Sequence, residues 1–271
     1  MPTILDRILE TKRREVQAQR AATPLNQVVQ AAAGAAPPRD FYAALSAPAP
    51  QGIHLIAEIK KASPSAGLIC PNFDPKTIAR TYAAAGASAI SVLTDPTYFQ
   101  GRPEHIAQVK SAVTLPVLRK DFIIDPYQIH QARMIGADAV LLIAEVLDPD
   151  TLSAFAGLIQ DLGMSALIEV HQPDHLKAVL GTVDFSPNRR RLLGINNRDL
   201  TIQKTNVAHT VRLSALLPEP KPILVSESGI TTRADVQKVQ AAGANAILVG
   251  QTLLQSNDPT ASIGQLLGTR T

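Results

Sequence analysis

The chain has 271 residues, 45% of them hydrophobic, 18% charged and only 4% aromatic, with no Trp; that suits one α/β barrel of about 250 residues whose parallel strands carry Val, Ile, Leu and Ala. A net charge of +3 is a mild excess of base, far from the clustered positive face of a nucleic-acid binder, and no apolar run approaches the roughly 18 residues that cross a bilayer. The lone cysteine, Cys70, excludes an intrachain disulfide and fits a reducing compartment, so a soluble cytoplasmic protein with neither nucleic acid nor membrane as partner is expected.

The N-terminus, MPTILDRILETKRREV, mixes charge with apolar residues and lacks the uninterrupted apolar core of a secretory signal. Ile4, Leu5, Ile8 and Leu9 form an apolar stripe at helical spacing, and Thr11 to Glu15 continue the helix's polar side. Thr23-Pro24 opens a second short helix, and Pro37-Pro38-Arg39-Asp40 interrupts before Phe41 to Leu45 begin another. Residues 1–50 therefore read as a helical extension that either closes the bottom of a following domain or leans over its mouth.

From there eight apolar runs recur: HLIAEIK, ISVLT, LPVLRKD, AVLLIAE, ALIEV, LLGINNR, ILVSESG and AILVG. Helix-like stretches separate them, and Gly86-Ala87, Gly136-Ala137 and Gly243-Ala244 repeat one helix-to-strand joint. No GxGxxG or GxxxxGK[ST] loop follows any strand, which disfavours a nucleotide-binding open sheet. The reading is a (β/α)8 TIM barrel over residues 51–271, a single domain whose active site gathers at the C-terminal strand ends.

Residues two apart on a strand share a face, so Glu58 and Lys60 at the first strand's end point together into the barrel and its mouth. The segment from Ala62 to Pro71 reads as a long loop, either an ordinary connection or a lid over the site. The third strand's end adds Lys120 with Phe122 beside it, and parity sends Arg119 and Asp121 to the other face. Desolvation would lower the pKa of Lys120 and nearby carboxylates would raise it, a balance the sequence leaves open.

Glu169, a single carboxylate in an apolar run, is costly to bury without a task and is a candidate general base. His171 and His175 have helical spacing and read as a surface helix start; the six histidines are dispersed, and no metal is expected. The run Arg189-Arg190-Arg191 reads as a solvated turn. Asn196 and Arg198 offer an amide and a guanidinium suited to an anionic, hydroxylated substrate. The last two strands end in Ser226-Glu227-Ser228-Gly229-Ile230 and Val249-Gly250-Gln251, where glycine lets backbone N–H groups approach a phosphate.

IAEIKKASPSAG, SVLTDPTYFQG, LPVLRKDFIIDPYQI, GADAVLLIAEVL, LIEVH, LLGINNRDL, VSESGI and AILVG, in that order, closely resemble the indole-3-glycerol phosphate synthase family of tryptophan biosynthesis. PRDF near Arg39 and TKRREV near Lys12 are similar to that family's N-terminal extension. The resemblance implies cyclisation, decarboxylation and dehydration of 1-(2-carboxyphenylamino)-1-deoxyribulose 5-phosphate to indole-3-glycerol phosphate, with no cofactor and no metal. It implies Lys120 as general acid on the ketone oxygen, Glu169 as general base and Glu58 as a further acid/base or positioning carboxylate. Lys60 resembles the residue that holds the anthranilate carboxylate, and which lysine serves dehydration stays open. Ser63, Phe99, Phe122, Asn196, Arg198 and Glu227 match substrate-binding positions, and Ser228, Gly229, Gly250 and Gln251 match the phosphate cup.

Gln251 departs from the Glu or Ser frequent in relatives, so its backbone N–H is the contact to expect. Arg119 and Asn197 are assigned no chemistry, a fused second enzyme is not expected, and a monomer is. Two other readings of the same residues are a Schiff-base aldolase using Lys120 or Lys60, and a non-catalytic sugar-phosphate-binding barrel.

Overall fold

The computed structural model describes residues 3–199 and 204–269. Three helices come first: α1 (Ile4–Ala22), α2 (Leu25–Gly34) and α3 (Phe41–Ser46). The strands follow as β1 (His54–Ile59), β2 (Ala62–Ser63), β3 (Gly67–Leu68), β4 (Ala89–Leu93) and β5 (Val117–Lys120). After these come β6 (Ala139–Ile143), β7 (Ser165–Val170), β8 (Arg191–Asn196), β9 (Leu224–Glu227) and β10 (Ala246–Val249). All but β2 and β3 form a closed parallel barrel in the order β1-β10-β9-β8-β7-β6-β5-β4, so the fold is the (β/α)8 barrel that the apolar runs predict.

Each barrel strand is buried on both faces, which is why the runs read as continuously apolar rather than alternating. Side chains of one parity, among them Ile56, Leu118, Leu141, Leu167, Leu192, Val225 and Leu248, fill the barrel interior. The other parity, including Leu55, Ile90, Val140, Ile168 and Ile247, packs against the helices outside. Gly86, Gly136 and Gly243 at the repeated joints have φ of 101°, 87° and 94°, the left-handed geometry that a helix stop there requires.

The N-terminal helices do both things the sequence allows. Phe41 and Leu45 of α3 join the barrel-interior core at its lower end, where the ring of His54, the first residue of β1, lies 2.8 Å from the carbonyl of Ala47. Arg39 clamps the same end, donating to the carbonyls of Val113 and Leu115 at 2.8 Å each. By contrast α1, capped by a reciprocal Thr3–Asp6 box, lies across the mouth with Ile4, Leu5 and Ile8 facing the cavity there.

Three expectations change. Lys12 is not on a solvated helix face but 2% exposed, because α1 turns that side onto the barrel rim, where Lys12 Nζ meets Asp95 and Asp121 at 2.9 Å each. The stretch after β1 is not a plain loop: β2 and β3 form a small antiparallel ribbon. The arginine run is only partly a surface turn, since Arg190 pairs with Asp40 at 3.0 Å while Arg191 is buried as the first residue of β8. Among the described residues, no helix is long and apolar enough to cross a membrane.

Candidate active site

A cavity of about 620 Å³ opens at the C-terminal end of the barrel. All four residues expected to do chemistry, Glu58, Lys60, Lys120 and Glu169, line it. So do Ser63, Phe99, Phe122, Asn196, Arg198 and Glu227, together with Ser228, Gly229, Gly250 and Gln251. Strand parity is the cause: the last inward-facing residues of five strands and the first residues beyond them converge on the barrel axis.

Two ion pairs dominate the floor. Lys60 Nζ donates to Glu58 Oε1 at 2.6 Å, and Lys120 Nζ donates to Glu169 Oε2 at 2.7 Å while standing 3.4 Å from Glu227 Oε2. Asn196 Nδ2 donates to the other oxygen of Glu169 at 2.9 Å, and Asn196 Oδ1 accepts from the Arg198 amide at 3.0 Å, which fixes the amide's orientation. Burial works to lower the pKa of Lys120, but the charges of Glu169, Glu227 and Glu58 together outweigh it and hold the ammonium protonated well above the ordinary lysine range. That closes the balance the sequence left open.

The two carboxylates flanking Lys120 part company. Burial raises both, yet in Glu169 the charge and hydrogen bond of Lys120, with the Asn196 bond, win and lower its pKa. Glu227 is pushed well above the usual carboxylate range by burial, which, joined by the charge and hydrogen bond of Glu169 and the charge of Glu58, outweighs the pull of Lys120.

Phe99 and Phe122 form an aromatic wall, their rings 6.3 Å apart and tilted by 38°. Arg198 reaches across the mouth, donating from Nη1 to Ser65 Oγ at 2.7 Å and from Nη2 to Gln251 Oε1 at 3.4 Å, so it ties the β2–β3 ribbon to the far rim. The side chain of Gln251 thus makes a contact beyond its backbone N–H. Ser63 Oγ accepts from the Ala66 amide at 3.2 Å. Beyond β9, Ser228 and Gly229 have φ of 66° and 76°, two successive left-handed residues that turn the chain tightly at the cavity edge.

Sequence reasoning missed the supports. Asp121, next to Lys120, accepts from Thr94 at 2.6 Å, from Arg119 at 3.0 Å and from the Phe122 amide at 2.9 Å, and holds Lys12 as well. Arg119 and Asn197, given no chemistry, are buried braces: Arg119 also bonds the Gln128 carbonyl at 2.9 Å, and Asn197 bonds Ser226 Oγ at 3.0 Å. His171 is not part of a helix, because the helix Pro173–Thr182 begins after it; its ring stacks on His209 at 4.2 Å and lies 2.7 Å from the Asn196 carbonyl. The one signal in the sequence was a pair of opposite charges, Arg119 and Asp121, on the outward parity beside Lys120, where a barrel strand meets its helices.

Solved structures with the same overall shape include 3-hexulose-6-phosphate synthase from Salmonella typhimurium, at TM-score 0.63 and 11% identity over 80% of this chain and 98% of that one. Thiamine phosphate pyrophosphorylase from Pyrococcus furiosus gives 0.58 and 14% over 81% and 96%. At such identities these show the barrel fold alone. The sequence relatives go further: the indole-3-glycerol phosphate synthases of Roseiflexus castenholzii and Rhodopirellula baltica are 50% and 48% identical, over 99% and 98% of this chain and 99% of each of theirs. That of Neisseria meningitidis serogroup B is 46% identical over 98% of this chain and all of its own. Since the family model described as indole-3-glycerol phosphate synthase also matches residues 5–266, spanning the cavity and the helix over it, the chain belongs to the indole-3-glycerol phosphate synthase family.

Proposed function

We propose that the chain carries out its family's reaction with Lys120 as general acid and Glu169 as general base, converting 1-(2-carboxyphenylamino)-1-deoxyribulose 5-phosphate to indole-3-glycerol phosphate, CO2 and water. The observation that carries this is the Lys120–Glu169 pair, 2.7 Å apart at the floor of the cavity. A ketone becomes electrophilic toward a ring carbon only as its oxygen gains a proton, and a charged, positioned ammonium supplies one, worth roughly 10² to 10⁴ in rate. Because three carboxylates hold that proton on Lys120, it transfers as negative charge develops on the ketone oxygen rather than beforehand.

Ring closure forms the bond from the carboxylate-bearing ring carbon to the former ketone carbon, and loss of CO2 returns the electron pair to the ring. Departure of the hydroxyl then takes two groups: one of the two lysines protonates it so that it leaves as water, and a base removes the proton from the neighbouring former methylene carbon, the role we give Glu169. Lys60 holds the anthranilate carboxylate, with Glu58 at 2.6 Å tempering its grip so that CO2 can leave. Phe99 and Phe122 flank the aromatic ring, Ser63, Asn196, Arg198 and Glu227 orient the chain of hydroxyls, and Ser228, Gly229, Gly250 and Gln251 cup the phosphate.

The raised pKa of Lys120 disfavours it as the imine former of the Schiff-base reading, since imine formation needs a free amine. One chain supplies the whole proposed site, which supports a monomer with one catalytic domain over residues 51–271, extended by residues 1–50; we place its work on a phosphorylated small molecule in the cytoplasm. The test is turnover of that substrate followed by indole fluorescence. Folded protein that gives no rise would overturn the proposal.

A further inference from the structure

Among the inward-facing positions of β8, Leu192 and Asn196 carry side chains into the barrel and Gly194 between them carries none. Gly194 is opposite Glu169 on β7 and opposite Val225 on β9, two residues before Glu227. A Cβ at Gly194 would overlap Oε1 of Glu227 and come within 3.3 Å of Leu167 Cδ1. Its φ is not in the left-handed region, so the backbone itself makes no demand for glycine there. The missing side chain is explained by what fills its place, the close approach that a strand glycine often marks.

We propose that Gly194 is a positioning residue whose empty side-chain space is the seat of the Glu227 carboxyl, fixing it beside Lys120. The proposal rests on the reading of Glu227 as a substrate-site residue. Glu227 is 1% exposed. Of the described residues, Lys120 at 3.4 Å and Glu169 are the polar groups that meet its carboxyl, and the space at Gly194 sets where it lies between them. Its other open side is the cavity, where Lys120 and Glu169 already pair. A methyl group at Gly194 meets the far end of a flexible side chain rather than backbone, so the fold can absorb it by moving Glu227 into the cavity. The cost then falls on the reaction, and a misplacement of about 1 Å at such a site costs about 100-fold in rate.

The test is a double-mutant cycle of Gly194→Ala and Glu227→Ala in the full chain, read by kcat/KM and by melting temperature. Gly194→Ala alone should lower kcat/KM about 100-fold, mainly through kcat, with the melting temperature lowered by the clash. In the Glu227→Ala background there is no carboxyl to displace, so adding Gly194→Ala should change kcat/KM by no more than about twofold and leave melting unchanged. Losses that multiply in the two backgrounds, or a Gly194→Ala protein with unchanged kinetics, would overturn the proposal. If Gly194→Ala does not fold, its folding in the Glu227→Ala background supports the seat, and failure in both overturns it. If Glu227→Ala turns over normally, the substrate-site reading of Glu227 is what fails, and the melting cycle still decides the seat.

Discussion

Lys120 Nζ lies 2.7 Å from Glu169 Oε2, so the proposed acid and the proposed base are hydrogen-bonded to each other. Substrate must part them, exchanging one ion pair for contacts to the ketone oxygen and to the departing hydroxyl. Lys120→Ala should therefore abolish ring closure with a modest effect on substrate affinity, and Glu169→Gln, which keeps the Asn196 contact, should lower kcat by about 10² to 10⁴ with KM nearly unchanged. Steady-state kinetics check both. Loss of affinity with turnover intact in Lys120→Ala would contradict the acid assignment.

Lys12 couples the N-terminal helix to the same machinery. Its ammonium sits between Asp95, Asp121 and Glu15, and Asp121 is the neighbour of Lys120. Lys12→Met should destabilise the chain by about 3–5 kcal/mol, because it leaves Asp95 and Asp121 buried without that cation. Chemical denaturation measures this. Lower kcat/KM should accompany it, as α1 with Ile4, Leu5 and Ile8 loosens from the cavity wall.

Glu227 gives a pH prediction with a definite sign. Its folded-state pKa is raised above the unfolded value of about 4.3, so the stability linked to its proton is full below that pH and is lost as pH rises toward the folded pKa. Glu227→Gln cannot ionise and escapes that loss. Its melting temperature should thus gain on the unsubstituted chain as pH climbs from 4 toward the folded pKa, while its activity falls. A gain that shrinks with rising pH would contradict the direction of the shift.

Ser228 holds a left-handed φ of 66° at the proposed phosphate cup, a conformation that costs a non-glycine residue about 1–3 kcal/mol. Ser228→Ala keeps that strain and loses the hydroxyl, so KM should rise about tenfold with kcat little changed. Ser228→Gly loses the same hydroxyl but relaxes the backbone, and should melt above Ser228→Ala. Equal KM for the serine and alanine forms would show that only backbone N–H groups meet the phosphate.

The barrel was legible because each doubly buried strand is an apolar run ended by a polar residue, and because strand parity alone puts Glu58 with Lys60 and Leu118 with Lys120. The fourteen site residues rested on family resemblance as well as parity, and their convergence on one cavity is a fact of the fold. Lys12 was not legible, since a lysine among Thr11, Arg13 and Arg14 looks solvated until Asp95 and Asp121 are brought to it from distant strands. The β2–β3 ribbon was too short for any periodicity to show. Arg198's reach to Ser65, and the space that Gly194 leaves for Glu227, exist only in three dimensions.

The most direct measurement mixes the purified chain with the carboxyphenylamino-deoxyribulose phosphate, without added metal, and follows indole fluorescence beside Lys120→Ala. The account predicts a rise with the unsubstituted chain and none with Lys120→Ala at matched folding. A rise of equal rate in Lys120→Ala would contradict the proposed acid, and no rise in either would contradict the proposed reaction.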